Sequence, residues 1–568
     1  MPGGLMQLTA YGAQNVFVNG NPSMTYFNKL YKRSTNFAME HFRLDPRGIT
    51  DTSMPNSGLK TFRFKVPNYA DMLHDCYLCV SIPDIWSPLV RTDSLNGAQP
   101  TEFQWIRNLG FNMIEEVAIT FNGTQIVSYS GEWLKIMSYM KDSKAKRQTV
   151  DQMAGNLQEM YNPANINGRM NQYPHAIATS AIPITAPSIQ GRQLTIPLPF
   201  WFCQEISQAL PLIAMRLTEV EIQVTFTALY NTFTVLDTNE NSLTFGFRIP
   251  GAPNDPYTGI QNFLSYPDAQ GKPQNSALTT WNLDPYIEAN YVFLTDTERS
   301  HIAAYERTFL ITQIRSIFVE KQYGMNNLLI PMFNLCTRVV ALFQRHDRVQ
   351  LNDWDNYTNW DEIVNPTINT SLQPFNDPYT TQQLFTSGPA FTNNMGLQDI
   401  LVEGNLIFDG KDRFTTKNMN FFRDIQNYRF SQGPCRDLPG IYLYSFALDP
   451  NSITQPSGSV NASMFNKTTF RYTLLVPPIA ATSSTTQTTL CVTRDSVNSS
   501  TQVAVPAGST VSPAPGVPAL IQPGTTINVY SAPTNLYVQF QGYNTTLYIE
   551  SYNFVKVTGG QANVVFST

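Results

Sequence analysis

Two short stretches, VAITFNGTQI at residues 117–126 and LIFDGKDRF at residues 406–414, each predict a strand, a two-residue turn and a second strand. Asn-Gly and Asp-Gly are the strongest local hairpin signals, because both central residues of a type I′ turn need a positive φ angle. The turn at Asn122 and the turn at Asp409 lie about half of the 568-residue chain apart. A repeat at half the chain length predicts two β domains of similar design in tandem.

The length and composition agree with two domains and argue against several classes of protein. A chain of 568 residues is too long for one hydrophobic core, since cores stop growing at about 250–300 residues. The apolar fraction of 42% excludes a disordered chain. Charged residues make up only 14%, against about 25% in ordinary globular proteins. The net charge is −5 and no long run of Lys or Arg occurs, so direct nucleic-acid binding has no electrostatic basis.

Most of the regular structure is predicted to be β. Apolar and polar residues alternate with period two in several segments, for example 62–66, 193–200, 219–228, 442–448 and 536–540. A strand with one apolar face is typical of an antiparallel sheet that packs on a core. We therefore expect an all-β fold, with short helices confined to the loops.

Two helices are predicted. Trp133, Ile136, Met137 and Met140 fall on one helical face, and Ser130 is placed to cap that helix. A second helix is expected from the capping box formed by residues 295–298, running to about residue 306.

Three long stretches are predicted to be loops, at residues 141–190, 237–285 and 479–525. The first contains the densest basic group, Lys141, Lys144, Lys146 and Arg147, which we interpret as a solvated loop. The third is rich in Ser, Thr and Pro, and is either a surface excursion or a flexible linker. We assign residues 1–25 to an N-terminal arm, 26–236 to the first domain, 237–285 to a linking excursion, and 286–568 to the second domain.

The sequence offers no catalytic, cofactor-binding or metal-binding motif. The five His are scattered, and no Walker A loop, G-x-S-x-G elbow or zinc-binding spacing occurs. Cys76 and Cys79 form a C-x-x-C, but within a predicted strand, where residues three apart point to opposite faces. Six Cys in this length are few, which favours a reducing compartment. No secretory signal or membrane-spanning segment is expected.

Of all the segments in the chain, 352–362 most resembles an enzyme site. Its acidic residues Asp353, Asp355, Asp361 and Glu362 lie beside tryptophans. Such a group could bind a sugar, and a pair of carboxylates could cleave a glycosidic bond. The alternative interpretation is an ordinary surface loop.

Sequons for N-glycosylation occur no more often than chance predicts. We keep six as candidates, at Asn356, Asn369, Asn461, Asn466, Asn498 and Asn544. A seventh, Asn122, is set aside because it lies in a predicted hairpin turn.

Several segments resemble the major capsid proteins of nucleocytoplasmic large DNA viruses. They include GLMQLTAYGAQN at 4–15, GNPSMTYF at 20–27, LPFWFC at 198–203 and PGIYLYSFAL at 439–448 followed by QPSG at 455–458. The similarity runs in order along the whole chain.

The resemblance implies a double jelly roll, two tandem eight-stranded antiparallel rolls, and a structural rather than enzymatic role. It further implies a homotrimer that forms pseudo-hexagonal capsomers of an icosahedral shell, assembled in the host cytoplasm. Minor capsid and penton proteins, and an internal membrane layer, are the other implied partners. Two alternatives remain open, namely a glycan-binding or glycan-cleaving jelly-roll protein and a minor or vertex capsid component.

Overall fold

The fold is that of a computed structural model, which describes most of residues 3–566. The segments outside the description are 29–30, 90, 94–96, 100, 167–168, 170–171, 177–185, 238–247, 269–270, 333, 360–397, 476–488, 491–499, 505–509, 515–516, 521–525 and 531–541. The predicted alternation at 536–540 and the acidic residues Asp361 and Glu362 therefore lie outside the described residues.

The first half of the chain folds into a roll of two four-stranded antiparallel sheets. Its strands are β1 (Phe37–Leu44), β2 (Lys60–Val66), β3 (Met72–Ile82), β4 (Ile114–Phe121), β5 (Thr124–Ser130), β6 (Arg192–Pro197), β7 (Val220–Phe226) and β8 (Tyr286–Leu294). The strand orders are β1-β8-β3-β6 and β2-β7-β4-β5. First and last strands are thus neighbours, as a jelly roll requires.

The second half repeats this topology strand for strand. Its strands are β9 (Arg307–Gln322), β10 (Met325–Leu329), β11 (Leu335–Arg345), β12 (Leu401–Phe408), β13 (Lys411–Asp412), β14 (Ile441–Ser445), β15 (Thr468–Leu474) and β16 (Tyr543–Thr558). The strand orders are β9-β16-β11-β14 and β10-β15-β12-β13. The predicted fold class, two tandem eight-stranded antiparallel jelly rolls, is therefore confirmed.

The two predicted hairpins occupy equivalent places in the two rolls. Asn122 and Gly123 join β4 to β5, while Asp409 and Gly410 join β12 to β13. All four residues have positive φ angles, of 49°, 81°, 47° and 79° respectively. The Asn-Gly and Asp-Gly residues thus adopt the positive φ angles that a type I′ turn requires.

Burial follows the period-two pattern. Strand β7 alternates between fully and partly buried residues along its whole length. In β2, the buried side chains Phe62, Phe64 and Val66 face the opposite sheet while Arg63 and Lys65 face solvent. One large cluster of buried apolar side chains fills the first roll and continues into the second roll through Phe309, Val340 and Leu342.

The predicted boundary between the domains needs correction. Strand β8, which we had assigned to the second domain, pairs with β1 and β3 of the first roll. The reason is topological, because a jelly roll closes only when its last strand inserts beside its first. From the pairing, we propose that the first roll runs through Leu294 and the second begins at Arg307.

The stretch 237–285 is also not a linker between the rolls. Its described residues Ile260, Phe263, Trp281 and Leu283 belong to the buried cluster of the first roll. The strand Arg248–Pro250 pairs with Phe233–Leu236, which in turn pairs with Phe103–Trp105. The described part of the stretch is therefore an insertion between β7 and β8 that packs on its own roll.

Ten α-helices lie in the described chain. They are α1 (Gly3–Thr9), α2 (Ala13–Asn19), α3 (Leu109–Asn112), α4 (Gly131–Lys141), α5 (Lys144–Met153), α6 (Gln158–Tyr161), α7 (Trp201–Gln204), α8 (Asp296–Ala304), α9 (His346–Gln350) and α10 (Gln426–Phe430). A π-helical turn, Phe421–Ile425, leads into α10.

Both predicted helices are present. Helix α4 is capped by the Ser130 hydroxyl, which accepts from the Trp133 amide at 3.1 Å. Helix α8 starts where the capping box predicts, but the Thr295 side chain makes no capping hydrogen bond. The Thr295 hydroxyl instead lies 3.4 Å from the hydroxyl of Thr297.

The prediction of a solvated loop at 141–190 is wrong for its first part, which forms helix α5. The Ser143 hydroxyl accepts from the Lys146 amide and caps this helix. Arg147 is buried, and its guanidinium donates to Asn108, Ser138 and Asp151. The basic group thus contains a structural arginine, which charge density alone could not distinguish from solvated lysines.

The remaining described strands are short. Within the predicted loop 479–525 and just after it lie Thr489–Leu490, Ser500–Ala504, Thr510–Ala514, Val517–Leu520 and Thr526–Tyr530. Elsewhere lie Arg91–Asp93, Gly97–Gln99, Lys417–Asn418, Val460–Asn461 and Gln561–Val564.

Candidate functional site: the junction between the rolls and the exposed faces

Helix α4 lies at the junction between the two rolls. Its apolar stripe is buried, as the sequence predicts. The ring of Trp133 packs against that of Tyr548 in the second roll, with ring centroids 5.1 Å apart. Hydrogen bonds from side chains to the backbone continue the junction along β5, where the Tyr129 hydroxyl donates to the carbonyl of Thr312 and the Gln313 amide donates to that of Ile126. The face of the first roll that carries β5 and α4 therefore meets the β9 side of the second roll.

A buried ion pair stands at the centre of this junction. The Lys135 ammonium on α4 lies 2.5 Å from the Asp355 carboxylate, and both side chains are excluded from solvent. The amides of Asn108 and Asn112 also donate to that carboxylate, at 2.5 Å and 2.8 Å. Burial by itself would raise the pKa of Asp355, but Lys135 and the two amide donors together hold the pKa below its usual value.

The segment that carries Asp355 belongs to the second roll but docks on the first. It connects β11 to β12 and includes Asn352, whose amide donates to the carbonyls of Tyr230 and Phe233. The indole of Trp354 donates to the carbonyl of Asn231 at 2.9 Å. We call residues 352–359 the docking segment.

A second polar group lies beside the first. The Glu132 carboxylate accepts from the hydroxyls of Tyr357 and Tyr548. Burial and the neighbouring carboxylate raise the pKa of both phenols well above the usual value, so both stay protonated donors. Arg338 and Glu550 form a further buried ion pair, and Arg338 also donates to Asn451 at 2.9 Å. Glu132 thus ties α4 to the docking segment and to β16 of the second roll, while the Arg338–Glu550 pair joins β11 to β16 within that roll.

Of the acidic residues that suggested a sugar site, Asp355 has a structural role at the junction. Asp355 is buried, and both its oxygens accept from Lys135 or the neighbouring amides. Burial raises the pKa of Asp353, which accepts from the Asn356 amide at 3.1 Å. Asp355 is therefore closed to a polysaccharide chain, whereas Asp353 is only partly buried. The sequence showed the acids but could not show that Lys135, more than 200 residues earlier, neutralises one of them.

Acidification is expected to weaken this junction. Because the pKa of Asp355 is lowered in the folded protein, the ion pair stabilises the fold above about pH 4, the pKa range of an unfolded Asp. That stabilisation is lost as the pH falls through the lowered value. Thermal unfolding from pH 7 to pH 3 should therefore show a steeper fall of Tm for wild type than for Asp355→Asn. Parallel curves would contradict this assignment.

Burial separates the six glycosylation candidates. Asn356 and Asn544 are buried, so a glycan cannot be attached to either in the folded protein, and these two predictions are wrong. Asn461 and Asn466 are exposed and stay predictions. Asn369 and Asn498 lie outside the described residues.

Two exposed regions contrast with the closed junction. Every described residue of α1 and nearly every one of α2 is exposed, and Phe17 and Phe27 are 93% and 99% exposed. On the rolls, Ile425 and Tyr428 are 57% and 92% exposed. Large apolar patches on a folded protein mark surfaces that bind other molecules.

Within the described part of the chain, no group of three or more His, Cys, Asp or Glu is arranged to hold a metal ion. Among the same residues, we find no helix that is both long and apolar enough to cross a membrane.

Two family models match the chain. The N-terminal model of the major capsid proteins matches residues 25–266, and the model of the large eukaryotic DNA virus major capsid proteins matches residues 298–507. The gap between them contains β8 and the start of α8.

Two curated relatives match over nearly their whole length. The major capsid protein of Phaeocystis pouchetii virus is 26% identical over 531 residues, covering 84% of this chain and 93% of the relative. That of Paramecium bursaria Chlorella virus 1 is 26% identical over 496 residues, covering 85% and 90%.

Solved structures share the fold. A chain of the PBCV-1 virus capsid superimposes with a TM-score of 0.58 at 18% identity, covering 96% of this chain and 100% of the other. The Faustovirus major capsid protein gives a TM-score of 0.57 at 12% identity, covering 98% and 96%. The sequence of the present chain, its paired jelly rolls and these similarities together show that the chain belongs to the major capsid proteins of large eukaryotic DNA viruses, a family of structural proteins.

Proposed function

We propose that this major capsid protein forms homotrimers whose six rolls make one pseudo-hexagonal capsomer, and that these capsomers tile an icosahedral shell. The observation that carries the proposal is the equivalence of the two rolls, which share one strand order in both sheets. Two similar rolls in each of three chains give six similar rolls around one axis. A near-sixfold block can tile a surface, whereas a simple threefold block of single rolls is less suited to it.

The contact inside one chain indicates how neighbouring chains meet. Within the chain, the β5–α4 face of the first roll meets the β9 side of the second. In the second roll, the helical segment that follows β13 occupies the place of α4 and carries Ile425 and Tyr428. The strand of the first roll equivalent to β9 is β1. A head-to-tail contact that repeats this relation closes into a ring, so we propose that Ile425 and Tyr428 face β1 of the next copy.

The exposure of β1 supports this arrangement. It is an edge strand, paired with β8 alone in its sheet. Its first five residues are exposed although they include Phe37 and Met39. An open edge strand with exposed apolar side chains invites a partner. We expect a trimer interface above about 2,000 Å², the range of obligate assemblies.

Light scattering on the purified protein tests the oligomeric state. The expected mass is three times the 63.9 kDa of one chain, and it should persist on dilution. A stable monomer in dilute solution would contradict the proposal.

The N-terminal arm is proposed to act between capsomers. We propose that residues 1–25 order against neighbouring trimers, minor capsid or penton proteins, or an internal membrane layer, at the inner face of the shell. Support comes from the exposed apolar side chains of α1 and α2, for which the described part of the chain offers no covering surface.

Deleting residues 1–20 should separate the two levels of assembly. The truncated protein is expected to keep the trimer mass, because the arm contributes no buried side chain to either roll. It should fail to form shells when co-expressed with the other capsid components, as judged by electron microscopy of particles. Intact shells from the truncated protein would refute the role of the arm.

The abundance of the protein in virions distinguishes a main shell protein from a minor or vertex component. A main shell protein should dominate a stained gel of purified particles, whereas a vertex component would be a faint band. We also propose that the protein reaches the virion from assembly sites in the host cytoplasm, which immunogold labelling of infected cells would test.

A further inference from the structure

Two cysteines of the first roll meet at one carbonyl oxygen. The Cys203 thiol on α7 donates to the carbonyl of His74 at 3.2 Å. The Cys76 thiol on β3 points at the same oxygen, at 3.8 Å. Both sulfur atoms therefore lie beside a single atom, although the two residues are far apart in the sequence.

The backbone around the pair is held close by other contacts. The His74 ring lies 2.6 Å from the carbonyl of Phe202, the residue before Cys203. The amide of Leu198 donates to the carbonyl of Cys76 at 3.0 Å. Helix α7 is thus fixed against β3 where the thiols meet, and close approach of the two backbones is the geometric requirement for a disulfide.

The pair is also reachable from solvent. Cys76 and Cys203 both line a cavity of about 500 Å³ between β3, α4, α5 and the loop that holds Asn451. Cys203 is only partly buried. Of the other described cysteines, Cys79, Cys336 and Cys435 do not line this cavity.

We propose that Cys76 and Cys203 form a disulfide bond after the protein leaves the reducing interior of the cell. The two thiols lose two protons and two electrons and join through one S–S bond. A disulfide such as oxidised glutathione accepts the electrons and is released as two thiols. The bond ties α7 to β3 and closes a long loop of the chain, which restricts the unfolded state more than a short loop would.

The chemistry predicts a slow reaction. Burial and the adjacent Cys76 raise the pKa of the Cys203 thiol well above its usual value, and the thiolate is the reactive form. Protein inside the cell would therefore stay reduced through assembly, and the bond would accumulate in released particles. The proposal does not depend on the oligomeric state.

Peptide mapping tests the bond directly. The full-length protein is incubated with oxidised glutathione or with dithiothreitol, unfolded in an alkylating agent, digested and analysed by mass spectrometry without reduction. We expect a cross-linked peptide pair containing Cys76 and Cys203 in the oxidised sample alone. Alkylated Cys203 in the oxidised sample, or its linkage to another cysteine such as Cys491, would overturn the proposal.

Thermal unfolding tests the stabilising effect. Oxidation is expected to raise the Tm of wild type by about 2–5 °C. The gain should vanish in Cys76→Ser and in Cys203→Ser. It should remain in Cys336→Ser, a matched control that removes a buried thiol from the second roll. A cross-link without a gain in Tm, or a gain that survives in Cys203→Ser, would refute the stabilising role.

Discussion

Replacing Lys135 by Met is expected to lower the free energy of unfolding by about 3–5 kcal/mol, the usual effect of removing one partner of a buried ion pair. The substitution keeps most of the side-chain volume but leaves the Asp355 carboxylate buried without its cation. Because Asp355 lies in the docking segment of the second roll and Lys135 in α4 of the first, the loss falls on the contact between the rolls. Thermal or denaturant unfolding measures it.

The matched control is Lys146→Met. Lys146 also pairs with a carboxylate, that of Asp142 at 2.8 Å, but its side chain is 69% exposed. Exposed pairs on a helix contribute about 0–1 kcal/mol, so this variant should unfold near wild type.

A second variant separates the buried charge from the lost contact. Adding Asp355→Leu to Lys135→Met removes the unpaired carboxylate and should restore part of the stability. Equal destabilisation by Lys135→Met and Lys146→Met, or a double variant no better than Lys135→Met alone, would refute the role assigned to the pair.

Substituting both Ile425 and Tyr428 by Asp is expected to convert the trimer into monomers. Both side chains are largely exposed in the single chain, and the proposed ring places them against β1 of the next copy. Central aromatic residues of an interface contribute about 2 kcal/mol or more each, and a buried unpaired carboxylate adds a further penalty. The dissociation constant should rise at least about 100-fold, a change that light scattering over a concentration series detects.

Two controls accompany this variant. Tyr428→Phe keeps the ring and should remain trimeric. Met464→Asp introduces the same charge at another exposed apolar residue, 76% exposed, outside the proposed contact, and should also remain trimeric. Since neither Ile425 nor Tyr428 is buried in the single chain, the double variant should keep the Tm of a folded monomer. A trimer that tolerates both Asp substitutions would exclude this face from the interface.

Local signals in the sequence predicted individual elements well. The turns at Asn122 and Asp409, the alternation in β2 and β7 and the capped helix α4 all occur where the residues indicate. Each depends on a few neighbouring residues, either through the φ angle that a turn requires or through the spacing that places side chains on one face. The half-length spacing of the turns further indicated the duplication.

Three predictions failed where distant residues decide the outcome. Strand β8 was assigned to the wrong roll, because its own residues do not indicate that it pairs with β1 and β3. Asn356 was retained as a glycan acceptor although the docking segment buries it. Arg147 was predicted to be solvated, whereas its buried guanidinium donates hydrogen bonds to Asn108 and Ser138.

The β class, the doubling, the hairpin turns and the resemblance to the family could all be predicted from the residues alone, because side-chain period, turn chemistry and family-like segments can be read along the chain. The pairing of the strands, the burial of charges at the junction and the meeting of the two thiols could be established from the folded chain alone. Those outcomes depend on contacts between residues hundreds of positions apart, such as Lys135 with Asp355 and Cys76 with Cys203. Their free energy arises from desolvation and proximity in three dimensions, which no local pattern of residues contains.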